Sequence, residues 1–184
     1  MKTDARVRYT RKVIKESLLK LLTEKPIQKI TVKEICELAQ INRATFYTHY
    51  HDPFDLLEQM EDEAFEELFA AITTASQDVT NFAKKVFTIV KKDADLFKIL
   101  FSENGDKRFL KKIMEVPQAR MVASWHQLYP QATEHQLDIF STFIINGAIG
   151  VIEQWVRTGM QEEIPLDFGV ITKHLIEIWL NVSP

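Results

Sequence analysis

The chain holds 184 residues, 46% of them hydrophobic, with 23 Lys and Arg against 26 Asp and Glu for a formal net charge of −3. That apolar content is enough to bury a core and excludes a disordered chain. One cysteine, Cys36, excludes an intramolecular disulfide and a cysteine-rich zinc site, and five glycines spread along the chain leave no phosphate-cradling loop.

Every periodic segment has helical spacing and no alternating run stands out, so the fold is expected to be all-α with about nine helices. A first helix is expected over about 10–24, burying Ile14, Leu18, Leu21 and Leu22 at i, i+4, i+7 and i+8. Thr31 and Glu34 then make an S/T-x-x-E capping box, which starts a helix at Val32 with Ile35, Leu38 and Ala39 on its apolar side. Cys36 on this helix reads as a small buried hydrophobe, the alternative being a redox sensor next to the functional motif. After Gln40 and Ile41, Asn42 is a good N-cap, and the segment 43–50 carries Arg43, Thr45, Tyr47, Thr48 and His49 in helical register around Phe46. These polar groups suit phosphates and base edges, and Ala44 keeps the near surface flat enough to enter a major groove. Asp52 and Pro53 supply an N-cap and a first-turn proline for the next helix. Two short helices joined by a tight turn make a helix-turn-helix.

Charge supports the same end of the chain independently. Residues 1–51 hold 11 Lys and Arg against 5 Asp and Glu, a net of +6, which leaves a net of −9 for the remainder. Such a polarised chain presents one end to phosphate and keeps the other away from it. Lys2, Arg6, Arg8, Arg11, Lys12 and Lys15 precede the motif and are placed to line flanking backbone. Double-stranded DNA is therefore the expected partner.

The next helix, about 53–73, carries Leu56, Leu57, Met60, Ala64, Leu68 and Phe69 and links the DNA-binding unit to the rest, giving an expected division into 1–52 and 53–184. Helices are expected near 79–92 and 94–103, with Gly105 as a stop, Asp106 as a new cap and Pro117 interrupting 107–128. Thr133 and Gln136 suggest a second capping box for a helix that runs to about Thr158 and stops at Gly159. That helix is apolar on nearly every side, with Phe140, Phe143, Ile144, Gly147, Ala148, Val151, Ile152 and Trp155 on one stripe. The last helix, about 166–182, repeats the pattern with Leu175 and Trp179 among its apolar residues. A helix wet on one side does not need so many large apolar groups, so Phe140, Ile144, Gly147, Ala148, Val151, Trp155, Leu175 and Trp179 are the expected homodimer interface. One large monomeric core is the alternative.

The run Ile41 to Tyr50, followed by Asp52, Asp55, Leu56 and Leu57, resembles the signature of the TetR/AcrR family of transcriptional regulators, a likeness that spans the first part of the chain in detail. The runs 96–106 and 146–155 are similar to a C-terminal domain common among TetR-type regulators of Gram-positive bacteria. There are two departures. Gln40 stands where the family usually has glycine, which places a Cβ in a left-handed conformation at a cost of about 1 kcal/mol. Pro53 stands where the family often has a phosphate-contacting lysine, a contact that His51 or the Tyr50 hydroxyl would partly replace.

The resemblance implies a homodimeric regulator, usually a repressor, that binds a palindromic operator and is released by a small-molecule or protein effector acting through the fourth helix. On that reading Arg43, Thr45, Tyr47, Thr48 and His49 contact bases and phosphates from the recognition helix, Ala44 lies against the groove, and Thr31 and Tyr50 contact flanking backbone. An effector pocket is expected in the middle of the chain, with Phe97, Phe101, Met121, Trp125, His126 and Tyr129 as candidates. No catalytic residue, metal site or cofactor is expected. There is no H-E-x-x-H pattern, His49 and His51 lie on different helix faces, and the carboxylates at 61–67 read as a solvated face. No apolar run follows Met1 and no stretch approaches about eighteen consecutive apolar residues, so neither a signal peptide nor a membrane partner is expected and the chain is placed in the cytoplasm. The alternatives are an all-α protein-interaction module with a purely structural helix-turn-helix and a coactivator-dependent activator. Salt dependence separates DNA binding from apolar docking.

Overall fold

A computed structural model describes residues 2–73, 79–102, 109–115, 125–126, 130–160 and 164–181. Among these, every regular element is helical. In chain order they are α1 (Lys2–Leu22), a 3-10 turn (Ile27–Lys29), α2 (Val32–Ala39), α3 (Arg43–Tyr47), α4 (Pro53–Thr73), α5 (Val79–Lys92), α6 (Ala94–Leu100), α7 (109–115), α8 (Glu134–Arg157) and α9 (Ile164–Asn181).

The first helix starts eight residues before its expected position. Nothing in the segment 2–9 breaks a helix, and the Thr10 hydroxyl donates back to the Arg6 carbonyl at 2.9 Å, an i to i−4 bond made by a residue inside a helix. The basic N-terminal segment is therefore an extension of α1. Its core residues are as expected, with Ile14, Leu18 and Leu22 completely buried.

Two compact units emerge, Met1–Ala64 with Asp95–Gly105, and Phe65–Ala94 with Asp106–Pro184. The first is larger than a division at residue 52 implies, because α4 supplies its first three turns, including Leu56, Leu57 and Met60, to the same core. In this unit α1 packs on α2 and α2 on α3, around Ile14, Leu18, Ile35, Phe46 and Leu56.

The second unit is dominated by the packing of α5 on α9. Gly169 permits it: a Cβ there would stand 2.8 Å from the Thr80 Cα, so only glycine allows the two backbones this near. Phe87 of α5 sits edge-on to Trp155 of α8, with ring centroids 4.9 Å apart, and 5.9 Å from Phe168 of α9. Phe140 stacks on Trp179 at 4.3 Å with the rings only 3° from parallel, which pins the start of α8 to the end of α9. The capping box at Thr133 forms, with the Gln136 N–H donating to the Thr133 hydroxyl at 3.3 Å and the Thr133 N–H to Gln136 Oε1 at 2.9 Å. At its other end α8 closes in a Schellman pattern. Gly159 has φ 89°, its N–H donates to the Val156 carbonyl, and the Met160 N–H donates to that of Trp155 at 2.9 Å. The expected boundaries at Gly105, Asp106 and Pro117 lie outside the described residues.

Candidate nucleic-acid interface

The helix-turn-helix is assembled by its caps. The Thr31 hydroxyl accepts from the Glu34 N–H at 3.3 Å, while Glu34 Oε2 accepts from the Thr31 N–H at 3.0 Å and from its hydroxyl at 2.8 Å. Lys25 pairs with the other Glu34 oxygen. Together the Lys25 ammonium and the Thr31 donors hold the Glu34 carboxyl down to about 2. At its far end α2 closes in a second Schellman pattern, since the Ile41 N–H reaches the Cys36 carbonyl at 3.0 Å and the Gln40 N–H that of Glu37 at 3.4 Å. Gln40 takes φ 54° and ψ 43°, the left-handed conformation its position demands despite its Cβ. Cys36 is buried, and burial pushes its thiol up, so the redox reading loses the reactive thiolate it requires.

Asn42 caps α3, its Oδ1 accepting from the Thr45 N–H at 2.7 Å and from the Thr45 hydroxyl at 3.0 Å. The helix is five residues long and stops at Tyr47, short of the expected Tyr50. The His49 and Tyr50 N–H groups both turn onto the Phe46 carbonyl, at 2.9 and 3.0 Å, and this tight turn carries the chain back toward the core. Asp52 then caps α4, accepting from the Phe54 and Asp55 N–H groups at 2.8 and 2.9 Å. Asp55 accepts the His51 N–H at 2.8 Å, which lowers its own pKa.

The candidates divide according to this geometry. Thr31, Arg43, Ala44, Tyr47 and Thr48 are exposed, Thr45 and His49 are half-buried, and Phe46 beneath them is fully buried. The short helix therefore stands on one aromatic anchor and, with Thr48 just beyond it, presents guanidinium, phenol and hydroxyl groups outward, while the His49 imidazole is half-buried. Tyr50 requires a correction. The turn after Thr48 sends it inward, where it is 2% exposed, with its ring 5.8 Å from that of Phe46 and its hydroxyl accepting from Arg11 Nε at 3.3 Å. Tyr50 is a core residue that holds Arg11, and it does not reach out to flanking backbone. Arg11 and Lys15 are likewise engaged internally, both on Glu63 of α4, at 3.2 Å in the case of Arg11. They brace α1 against α4.

Sequence reasoning missed a groove of about 450 Å³ beside α3, lined by Arg6, Val7, Thr10, Gln40, Ile41, Asn42, Thr45 and His49. The signal was available in the segment 2–9, whose freedom from helix breakers places Arg6, Val7 and Thr10 on one side of a continuous helix.

The other two candidate sets fall in different places. Of the effector candidates, Phe97 is buried in the first unit with its ring 6.3 Å from that of Phe101, whereas Trp125 lies 5.4 Å from Phe140 in the second unit with His126 exposed. Met121 and Tyr129 lie outside the described residues. Packing thus occupies Phe97 and Trp125 in two separate units. Of the interface candidates, Phe140 and Trp155 are covered by their own chain, and Trp179 is stacked on Phe140. Ile144, Ala148 and Val151 are half-buried, and Gly147 and Leu175 are open. The exposed apolar stripe on α8 instead runs through Ile139 and Phe143 past Gly147 and Gly150, and that on α9 through Ile171, Leu175 and Ile178. By length and composition α8 is also apolar enough to cross a membrane, with a mean hydropathy of 1.4 over its best window. That apolarity is split between a side sunk in the second unit and this open stripe.

A polar, exposed second helix on a capped turn, within the basic N-terminal part of the chain, defines a helix-turn-helix. Comparison with known proteins agrees. Residues 77–165 match a TetR C-terminal family model described as the transcriptional regulator C-terminal region. An uncharacterized HTH-type transcriptional regulator of Bacillus subtilis, YxbF, is 31% identical over 110 residues. That match takes in 55% of this chain and only 29% of the longer relative. A TetR/AcrR-type transcriptional regulator from Aquifex aeolicus VF5 shares the fold, with a TM-score of 0.65 at 18% identity over 92% of this chain and 99% of that one. The dihydroxyacetone kinase operon activator DhaS does so as well, with a TM-score of 0.65 at 16% identity over 95% and 97%. The chain is thus similar to TetR/AcrR-type transcriptional regulators, sharing their fold and, over residues 77–165, matching their C-terminal family model.

Proposed function

We propose that this regulator acts in the cytoplasm as a homodimeric repressor, reads a palindromic operator with two copies of α3, and is released by a small-molecule or protein effector. The observation that carries the reading is the exposed polar face of α3, Arg43, Ala44, Tyr47 and Thr48 with Thr45 and His49, built on the buried Phe46 in the basic third of the chain. Arg43 and the hydroxyls of Tyr47 and Thr48 serve base edges and phosphates, Ala44 lets the helix close on the groove, and Thr31 takes flanking backbone. The second copy covers the stripes of α8 and α9, where Phe143 and Ile178 are each 60% exposed and a Cβ at Gly147 or Gly150 would meet nothing within 4 Å. Two recognition helices related by a two-fold axis require half-sites about one helical turn apart, or a multiple of that. An effector favours the DNA-free state to the extent that it binds that state more tightly.

A coactivator-dependent activator is the second reading, since a protein of this fold, DhaS, is named an operon activator. A reporter driven by the promoter upstream of the chain's own gene tests the sign. Repression predicts that expression falls when the chain is supplied and that Arg43→Ala restores it. A rise that depends on Arg43 would establish activation.

A further inference from the structure

The groove beside α3 shares Thr45 and His49 with the polar face of the recognition segment and extends from there to α1. One wall is α1, through Arg6, Val7 and Thr10; the other is the turn and α3, through Gln40, Ile41, Asn42, Thr45 and His49. Among the described residues, no carboxylate lines it. Arg6 supplies a full positive charge, and the Gln40 and Asn42 amides supply neutral donors, with the half-buried His49 ring beside them. Asn42 has its side-chain oxygen occupied by Thr45, so what it has left to offer is its NH2 group. A groove whose described lining offers the Arg6 cation and several donors without a carboxylate is complementary to an oxyanion. Gln40 adds a second, independent observation. It holds φ 54° at a position where glycine would carry no Cβ penalty. Backbone strain retained at a residue that lines a groove points to a use for its side chain.

We propose that this groove seats a backbone phosphate of the duplex that α3 enters, with Arg6 as the ionic contact and the Gln40 amide as a neutral donor beside it. The proposal rests on the DNA-binding reading and adds residues to it. Pro53 offers no cation at the start of α4, so the ionic hold on the strand comes from the junction of α1 and the turn instead. Bound there, the phosphate fixes the depth and tilt of α3 in the groove without reading sequence, because phosphate contacts position and base contacts specify.

The test uses the full chain with two duplexes of equal length, one from the region upstream of its gene and one of scrambled sequence, each titrated at several salt concentrations. Arg6→Ala should weaken binding to both duplexes by about tenfold at low salt and reduce the slope of log affinity against log salt by about 1. Gln40→Gly should weaken both by a similar factor with the slope unchanged, because a neutral donor releases no counterion. Its melting temperature should hold or rise, because glycine relieves the left-handed strain; weaker affinity with unchanged stability separates a DNA contact from a folding defect. Duplexes carrying a single neutral methylphosphonate at successive positions supply a second readout. At one position per half-site the parent chain should lose about tenfold in affinity, and Arg6→Ala should lose little more than it already has. Parent-like affinity for both variants, or full additivity of the methylphosphonate and Arg6→Ala losses at every position, overturns the proposal. A parent chain that binds neither duplex overturns the DNA-binding reading itself.

Discussion

At the scale of single residues, burial separates anchors from contacts in the helix-turn-helix. Phe46 and Tyr50 face inward, whereas Arg43 projects from the first position of α3 with its guanidinium open to solvent. Arg43→Ala should therefore remove about 1–3 kcal/mol of operator discrimination and leave the helical circular-dichroism signal and the oligomeric state unchanged. Sequence-specific binding at parental strength after that change removes Arg43 from the base-reading set. Asn42 has a different task, because it caps α3 through the Thr45 N–H. Asn42→Ala should lower stability by about 1 kcal/mol in urea denaturation. Glu34 makes the unit sensitive to acid. Its carboxyl is held at about 2 in the folded state against an ordinary value of 4.5, so the stabilisation is fully present above pH 4.5 and is lost as the pH falls toward 2. Glu34→Gln should flatten stability against pH across that window in denaturant melts. An unchanged profile would mean that the Lys25 and Thr31 contacts do not persist in solution.

At the scale of elements, the legible features are those with a local chemical signature. Both capping boxes, at Thr31 with Glu34 and at Thr133 with Gln136, form as their spacing requires, as do the Asn42 and Asp52 caps and the α4 span from Pro53 to Thr73. The length of α3 and the place of Tyr50 share one cause, the direction of the backbone after a helix end. The turn of His49 and Tyr50 onto the Phe46 carbonyl shortens α3 and buries Tyr50, and no pattern of side-chain types announces that turn. Extension of α1 to Lys2 is signalled only by the lack of helix breakers in the segment 2–9, which has no regular apolar period to reveal a helix directly. Long-range pairing is invisible as well. Phe140 and Trp155 read as interface residues by periodicity, but their partners Trp179 and Phe87 come from other helices. Gly169 carries no local signal either, although its lack of a side chain lets α5 and α9 meet. Gly169→Ala sets a helix-propensity gain of about 1 kcal/mol against an overpacking cost of about 1–3 kcal/mol at the Thr80 backbone. The expected net result is a lower denaturation midpoint; a higher one would contradict the near contact of the two helices.

At the scale of the whole molecule, charge and exposed apolar surface fall on different parts of the chain, a division that suits the proposed DNA-binding dimer. Residues 1–51 carry the net positive charge, and the open apolar stripes of α8 and α9 lie in the second compact unit. Phe143→Glu combined with Ile178→Glu places a carboxylate on each stripe and should give a monomer in sedimentation-velocity runs with the helical content intact. Operator affinity should fall at least about tenfold, because a single half-site contact no longer brings the second with it. A dimer that survives both changes moves the interface elsewhere. Sequence-specific, salt-sensitive recognition of duplex DNA is the central claim of the proposed function. The decisive measurement is a fluorescence-anisotropy titration of the chain against a duplex from its own upstream region and a scrambled control, at two salt concentrations. Preference for the native duplex, with affinity that falls steeply as salt rises, is the predicted result. Equal binding to both duplexes that barely responds to salt would contradict it and leave the helix-turn-helix a structural element of an interaction module.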